Sequence, residues 1–182
     1  NIHYTCQRRA LASKMPMSKA GFDILIVYFC IKGYNSIMFS DPLKNLKMFE
    51  IKETDIVADL GAGTGFYSIL AAQIATRGKV YAVEISKDFL KTIRNKIQEA
   101  KLGNIECLWG DVEKIGGTKI GNEVVDKVIA SNILFQVADK DSFIQEIKRI
   151  LKKQGEVLFI DWSDLSQIPR KEMVVPKNQA KE

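Results

Sequence analysis

A chain of 182 residues has room for one domain with a single buried core. Hydrophobic residues make up 46% and charged residues 27%, which excludes a disordered or collagen-like chain. The formal charge of +5 comes from Lys and Arg scattered along the sequence without interleaved aromatics, so there is no strong sign of a nucleic-acid partner.

The one histidine, His3, stands near the start, which leaves this chain without a histidine-based triad or a multi-histidine metal site. Cys6, Cys30 and Cys107 show no C-x-x-C spacing and leave an odd thiol over. That pattern supports neither a disulfide framework nor structural zinc, and it points to a reducing, cytoplasmic setting. No metal is expected, and nothing in the sequence speaks to oligomeric state.

Residues 1–35 read as a leader of unspecified structure. Its most apolar run, residues 22–31, follows Arg8, Arg9, Lys14 and Lys19. A membrane-spanning helix needs about 20 apolar residues, so no transmembrane segment is expected. The run has the size of a signal-peptide core, but Asp23 interrupts it and no A-x-A site follows. An added helix or strand packed on the domain is expected, with a non-native upstream extension as the alternative.

Residues 36–165 carry the core. Ser40-Asp41-Pro42 starts a helix, with a capping side chain and a proline in the first turn, running to Phe49. Short apolar runs then alternate with helical patterns, the signature of a parallel sheet. Strands are predicted at 56–60, 80–83, 105–109, 124–130 and 156–160. The intervening helices carry Phe66, Ile69, Leu70 and Ile74, then Phe89, Ile93, Ile97 and Ala100, then Phe143, Ile144, Ile147, Ile150 and Leu151. Ser86 caps the second of these, and Gly78, Gly103 and Gly155 are the expected stops. Five strands joined in this way give a doubly wound, mostly parallel, Rossmann-like α/β sheet, whose ligands bind beyond the carboxyl ends of the strands.

Each motif falls at such an end. Asp59-Leu60-Gly61-Ala62-Gly63-Thr64-Gly65 leaves a buried strand and enters a helix. Glycines there permit positive φ and a close ligand approach, and the helix start offers unpaired N–H groups. The loop is G-x-G-x-G rather than the dinucleotide fingerprint G-x-G-x-x-G. Glu84 ends the next strand, where a carboxylate accepts hydrogen bonds from both ribose hydroxyls of an adenosine.

Together these residues resemble the class I S-adenosylmethionine (SAM)-dependent methyltransferases. Val57-Ala58-Asp59-Leu60-Gly61-Ala62-Gly63-Thr64-Gly65 is similar to that family's first motif, and Ala82-Val83-Glu84-Ile85 to the next. Gly110-Asp111-Val112 resembles its adenine-contacting segment, and residues 126–132 its fourth-strand motif. Leu151-Lys152-Lys153-Gln154-Gly155-Glu156-Val157-Leu158 resembles the helix-turn-strand that follows, so the match runs over roughly residues 40 to 162. In style it is nearest to the small-molecule branch that includes quinone-biosynthesis enzymes.

The resemblance implies SAM as cofactor. Asp59, Gly61, Ala62, Gly63 and Gly65 would hold its methionine end, and Glu84 its ribose hydroxyls. Ile85 would pack on the adenine face, Asp111 would accept from the adenine amino group with Val112 beside it, and Asn132 would face the methyl-transfer site. No catalytic residue is singled out.

Ser131-Asn132-Ile133-Leu134-Phe135 departs from the N-P-P-Y pattern of enzymes that methylate nucleic-acid amino groups. Ile133, Leu134 and Phe135 are expected to suit a small, partly apolar acceptor, or else to pack beneath the next helix. The family's core continues past the fifth strand with a helix and a β-hairpin, whereas residues 166–182 read as the start of an incomplete segment. The chain is therefore expected to be C-terminally truncated and to lack that hairpin. The alternatives are an RNA or protein methyltransferase, a non-catalytic SAM-binding or interaction module and, least favoured, an NAD-dependent oxidoreductase.

Overall fold

Short β-branched runs bounded by turns become strands where the pattern predicts them. The computed structural model describes residues 11–15, 23–29 and 41–162. In chain order these form β1 (Leu11–Met15), β2 (Asp23–Phe29), α1 (Pro42–Met48), β3 (Ile56–Leu60), α2 (Phe66–Ile74) and β4 (Lys79–Glu84). Then come α3 (Lys87–Glu99), β5 (Ile105–Trp109), β6 (Val125–Ser131), α4 (Lys140–Ile150) and β7 (Leu151–Trp162). His3, Cys6, Cys30 and the segment 166–182 lie outside the described residues.

All seven strands join one sheet in the order β1-β2-β7-β6-β3-β4-β5. Strands β3 to β7 run parallel, β2 lies parallel on β7, and β1 lies antiparallel on β2. From β3 the chain winds outward to β4 and β5, then returns past β3 to form β6 and β7. The direction of winding reverses between β3 and β6, which is where a doubly wound sheet binds its ligands.

Five of these strands are the ones expected; the other two come from the leader. The apolar run at 22–31 supplies β2, paired with β7 from Asp23↔Glu156 to Phe29↔Trp162. The β7 edge of the sheet is thus extended by β2 and then β1, both from the N-terminal side of the chain.

Alternation along the central strands sorts the core onto two faces. Val57, Val80, Ile129 and Leu158 pack with Leu46 and Phe49 near α1 and with Ala71 and Ala72 of α2. Ala58, Leu60, Val83, Val128 and Val157 pack with Phe143, Ile147 and Ile150 of α4. Asp41 caps α1 by accepting from Leu43 N, and Ser86 caps α3 by accepting from Phe89 N.

The helix stops differ from expectation. Helices α2, α3 and α4 end at Ile74, Glu99 and Ile150, short of Gly78, Gly103 and Gly155. Gly78 is small because a Cβ there would stand 2.0 Å from the Asp55 carbonyl oxygen. Beyond α3 it is Lys101 that takes the positive φ, at 53°. Leu151 begins β7 instead of ending α4, and a register shift between Val125 and Lys127 of β6 absorbs the extra residues of β7.

Candidate functional site

The loop from β3 to α2 is pinned to the neighbouring strand. Gly61 N and Ala62 N both donate to the Val83 carbonyl, at 2.9 and 3.0 Å, and Lys96 Nζ donates to the Thr64 carbonyl at 2.8 Å. Gly61, Gly63 and Gly65 have φ of 69°, 53° and 79°, in the left-handed region. Their surroundings differ. A Cβ on Gly61 would meet Ile133 Cδ1 at 2.3 Å, and one on Gly65 would meet Ile93 Cγ1 at 2.8 Å. A Cβ on Gly63 would find nothing closer than the Gly61 carbonyl at 4.0 Å. The crest of the loop faces open space.

Two carboxylates stand beneath and beside that crest. Glu84 is 7% exposed; its Oε2 accepts from Gly63 N at 2.8 Å and its Oε1 from Ser86 N at 2.9 Å. A carboxylate has roughly four acceptor positions, so this one retains capacity for a ligand's hydroxyls. Asp59 is buried and accepts from Ser68 Oγ at 2.5 Å. Burial pushes the Asp59 carboxyl up to about 6; the Ser68 hydrogen bonds oppose this, and the nearby charge of Glu84 adds to it.

Ile85 follows Glu84 and is 61% exposed, with its carbonyl accepting from Trp109 Nε1 at 2.8 Å. After β5, Gly110 N donates to the Glu84 carbonyl at 3.3 Å, which brings Asp111 alongside. Asp111 Oδ1 accepts from Glu113 N at 3.0 Å and its Oδ2 pairs with Lys114 Nζ at 3.0 Å. Hydrogen bonding from Lys114 holds the Asp111 carboxyl below its ordinary range. Val112 packs against the cluster containing Val83, Ile120 and Leu134.

Asn132 directly follows β6 with φ of 54°, its N donating to the Ile160 carbonyl at 2.7 Å. Ile133 and Leu134 are buried in the core, and Phe135 alone of the three is half-buried. Of the two readings of this segment, core packing holds for Ile133 and Leu134: Ile133 packs on Gly61, and Leu134 belongs to the α4-side core.

The predicted site residues thus gather at the carboxyl ends of β3, β4, β5 and β6. Sequence reading missed three polar groups that brace them. Ser68 holds Asp59. Asp161, buried near the end of β7, accepts from Leu134 N at 3.0 Å and fixes the turn after Asn132. Glu113 Oε2 accepts from Ala138 N and Asp139 N at 2.9 and 2.8 Å, tying the loop after β5 to the start of α4. Asp161 was findable by the strand-end rule that found Glu84. Among the described residues no group of three or more His, Cys, Asp and Glu is placed to hold a metal ion, and no helix is long and apolar enough to cross a membrane.

A family profile described as "Methyltransferase domain" matches residues 51–181. The chain is 26% identical over 137 residues to protein-L-isoaspartate O-methyltransferase of Thermosipho melanesiensis, covering 68% of this chain and 69% of that protein. It is 29% identical over 121 residues to demethylmenaquinone methyltransferase of Listeria welshimeri, covering 66% of this chain but only 50% of that enzyme. The fold is similar to a SAM-dependent methyltransferase from Aquifex aeolicus. That match has a TM-score of 0.70 at 28% identity and covers 77% of this chain and 74% of the other.

Proposed function

The chain belongs to the methyltransferase domain family, and from that membership we propose that it transfers the methyl group of SAM to a small, partly apolar organic acceptor, at oxygen or carbon. The observation that carries the cofactor reading is Gly63. Its positive φ and the open space before it make a cradle that a side chain would fill, directly above the buried carboxylate of Glu84.

The residues present fit the cofactor. Gly61, Ala62, Gly63 and Gly65 hold its methionine end, with Asp59 beneath. Glu84 accepts from the ribose hydroxyls with its remaining capacity. Ile85 and Val112 supply apolar contact to the adenine, and Asp111 accepts from its amino group. The sulfonium of SAM supplies a methyl already activated for transfer. The protein's work is then alignment, and proximity alone is worth about 7–11 kcal/mol. Asn132, held in a left-handed turn, would face that transfer.

The half-buried Phe135 and the absence of N-P-P-Y after Ser131 favour a small acceptor over a flipped base. Relatives of this chain include both a demethylmenaquinone and an isoaspartate methyltransferase, so protein methylation is the second reading. We place the catalytic unit at residues 36–165, working in the cytoplasm.

Calorimetric titration with S-adenosylhomocysteine and with NAD tests the cofactor. Homocysteine-cofactor binding with no NAD binding is expected, and the reverse would overturn the reading. Methyl transfer from labelled SAM into the metabolite, RNA and protein fractions of a cell extract tests the acceptor. Label confined to RNA or protein would replace the small-molecule reading.

A further inference from the structure

Among the described charged residues, Glu146 of α4 is the most completely enclosed, with 0% exposure, and its contacts lead to the loop after β5. Its Oε2 accepts from Gly116 N at 2.7 Å and from Arg149 Nε at 2.8 Å. Its Oε1 accepts from Thr118 Oγ1 at 2.6 Å, Thr118 N at 3.2 Å and Arg149 NH2 at 2.7 Å. Arg149 continues to the Ile120 carbonyl at 2.8 Å and Asn122 Oδ1 at 2.7 Å. Burial raises the Glu146 carboxyl, yet the hydrogen bonds from Arg149, Thr118 and Gly116 outweigh it and hold the group down at about 2.

A buried ion pair is a weak source of stability compared with apolar packing, but it fixes geometry. Here the geometry fixed is a single bend. Between its two anchored residues lies Gly117, whose carbonyl accepts from Asp111 N at 3.2 Å and whose N donates to the Lys114 carbonyl at 2.8 Å. The bend is also pressed against the strand end: a Cβ on Gly110 would stand 2.6 Å from the Gly117 oxygen. A line of contacts therefore runs from α4 through Glu146, the 116–118 bend and Gly117 to the backbone of Asp111.

We propose that Glu146 is a positioning residue for Asp111, setting from the far side of the loop where that carboxylate meets the cofactor's base. The inference rests on the reading of Asp111 as acceptor for the adenine amino group. It makes Glu146 a determinant of base selectivity, a role that overall stability does not report.

The test compares S-adenosylhomocysteine with S-inosylhomocysteine, in which an oxo group replaces the adenine amino group. Calorimetry is run below the melting temperature of each variant. The wild-type protein should prefer the adenosyl compound by about ten-fold or more, the worth of one hydrogen bond to a charged group. Asp111→Asn should erase the preference. Glu146→Gln should reduce it to within about two-fold, because the bend loses its charged anchor. Thr118→Val, which removes one hydroxyl donor at nearly constant volume, should reduce it in the same direction and carries the test if Glu146→Gln does not fold. Retention of the full preference in Glu146→Gln, or in Thr118→Val if that variant carries the test, while Asp111→Asn loses it, would overturn the positioning role alone. Retention in Asp111→Asn would overturn that role together with the adenine reading beneath it.

Discussion

Ile133 Cδ1 occupies the space in which a Cβ on Gly61 would stand, 2.3 Å from its ideal position. The turn leaving β6 is thereby locked onto the loop leaving β3, across the point where the sheet reverses its winding. Gly61→Ala should accordingly lower stability by about 1–3 kcal/mol, combining the left-handed φ with the overlap. Ile133→Val removes Cδ1 and should recover part of that loss in the double variant. Urea unfolding of the four proteins checks it; strictly additive effects would mean that the two side chains do not meet.

Gly63→Ala is the informative contrast. The added methyl meets no atom outside its chain neighbours closer than the Gly61 carbonyl at 4.0 Å, so stability should fall only by the backbone cost of about 1–2 kcal/mol. Affinity for S-adenosylhomocysteine should fall far more steeply, because the methyl projects into the cradle. Unchanged affinity by titration would reduce the loop to a tight turn.

Glu84→Gln should weaken S-adenosylhomocysteine binding by about 1.5–3 kcal/mol, as expected for hydrogen bonds to a charged group. It should also destabilise the free protein modestly, since Glu84 accepts from Gly63 N and Ser86 N even without a ligand. A stability loss with undiminished affinity would make Glu84 a loop strut only.

Asp59 gives a pH-dependent prediction. Its carboxyl sits at about 6 in the fold against an ordinary 3.8, chiefly through burial, so the folded chain holds this proton more tightly than the unfolded one. The stability that protonation provides is full below pH 3.8, declines as pH rises and is gone above about 6. The difference is on the order of 3 kcal/mol. Asp59→Asn should therefore stabilise the protein more at pH 8 than at pH 4.5, by about 2 kcal/mol, because about a third of the loss is already complete at pH 4.5. Unfolding curves at the two pH values measure it, and a pH-independent difference would remove the buried-acid account.

Much of this arrangement was legible in the sequence because its signals are local. The strands at 56–60 and 105–109 coincide with β3 and β5, and the capping roles of Asp41 and Ser86 were readable from residue type. What escaped depends on distant partners. Gly78 looked like a helix stop, but its size is dictated by the Asp55 carbonyl on another segment. For Ile133 and Leu134 the sequence left acceptor-lining and packing beneath the next helix equally open, because the contacts with Gly61 and α4 that decide between them are distant in the chain. Glu146 resembled any polar residue on an amphipathic helix; only the folded loop supplies its partners.

The leader yields the last prediction. Its strand β2 pairs along the edge of β7 from Asp23↔Glu156 to Phe29↔Trp162, with β1 on its outer side. An uncovered β7 would present a row of unpaired backbone groups, a template for association. Removal of residues 1–35 should therefore lower the melting temperature and promote aggregation. S-adenosylhomocysteine binding at low temperature should persist, because none of the proposed cofactor residues lies on β1 or β2. Ile26→Pro probes the same pairing with one substitution. Ile26 faces Phe159 on β7 and Ser13 on β1, and a proline there removes a ladder donor from an interior strand. Its melting temperature should fall toward that of the deletion, with cofactor affinity retained. If both proteins melt like the full chain, the leader does not hold this edge. If they fold but lose the cofactor, the leader belongs to the binding site.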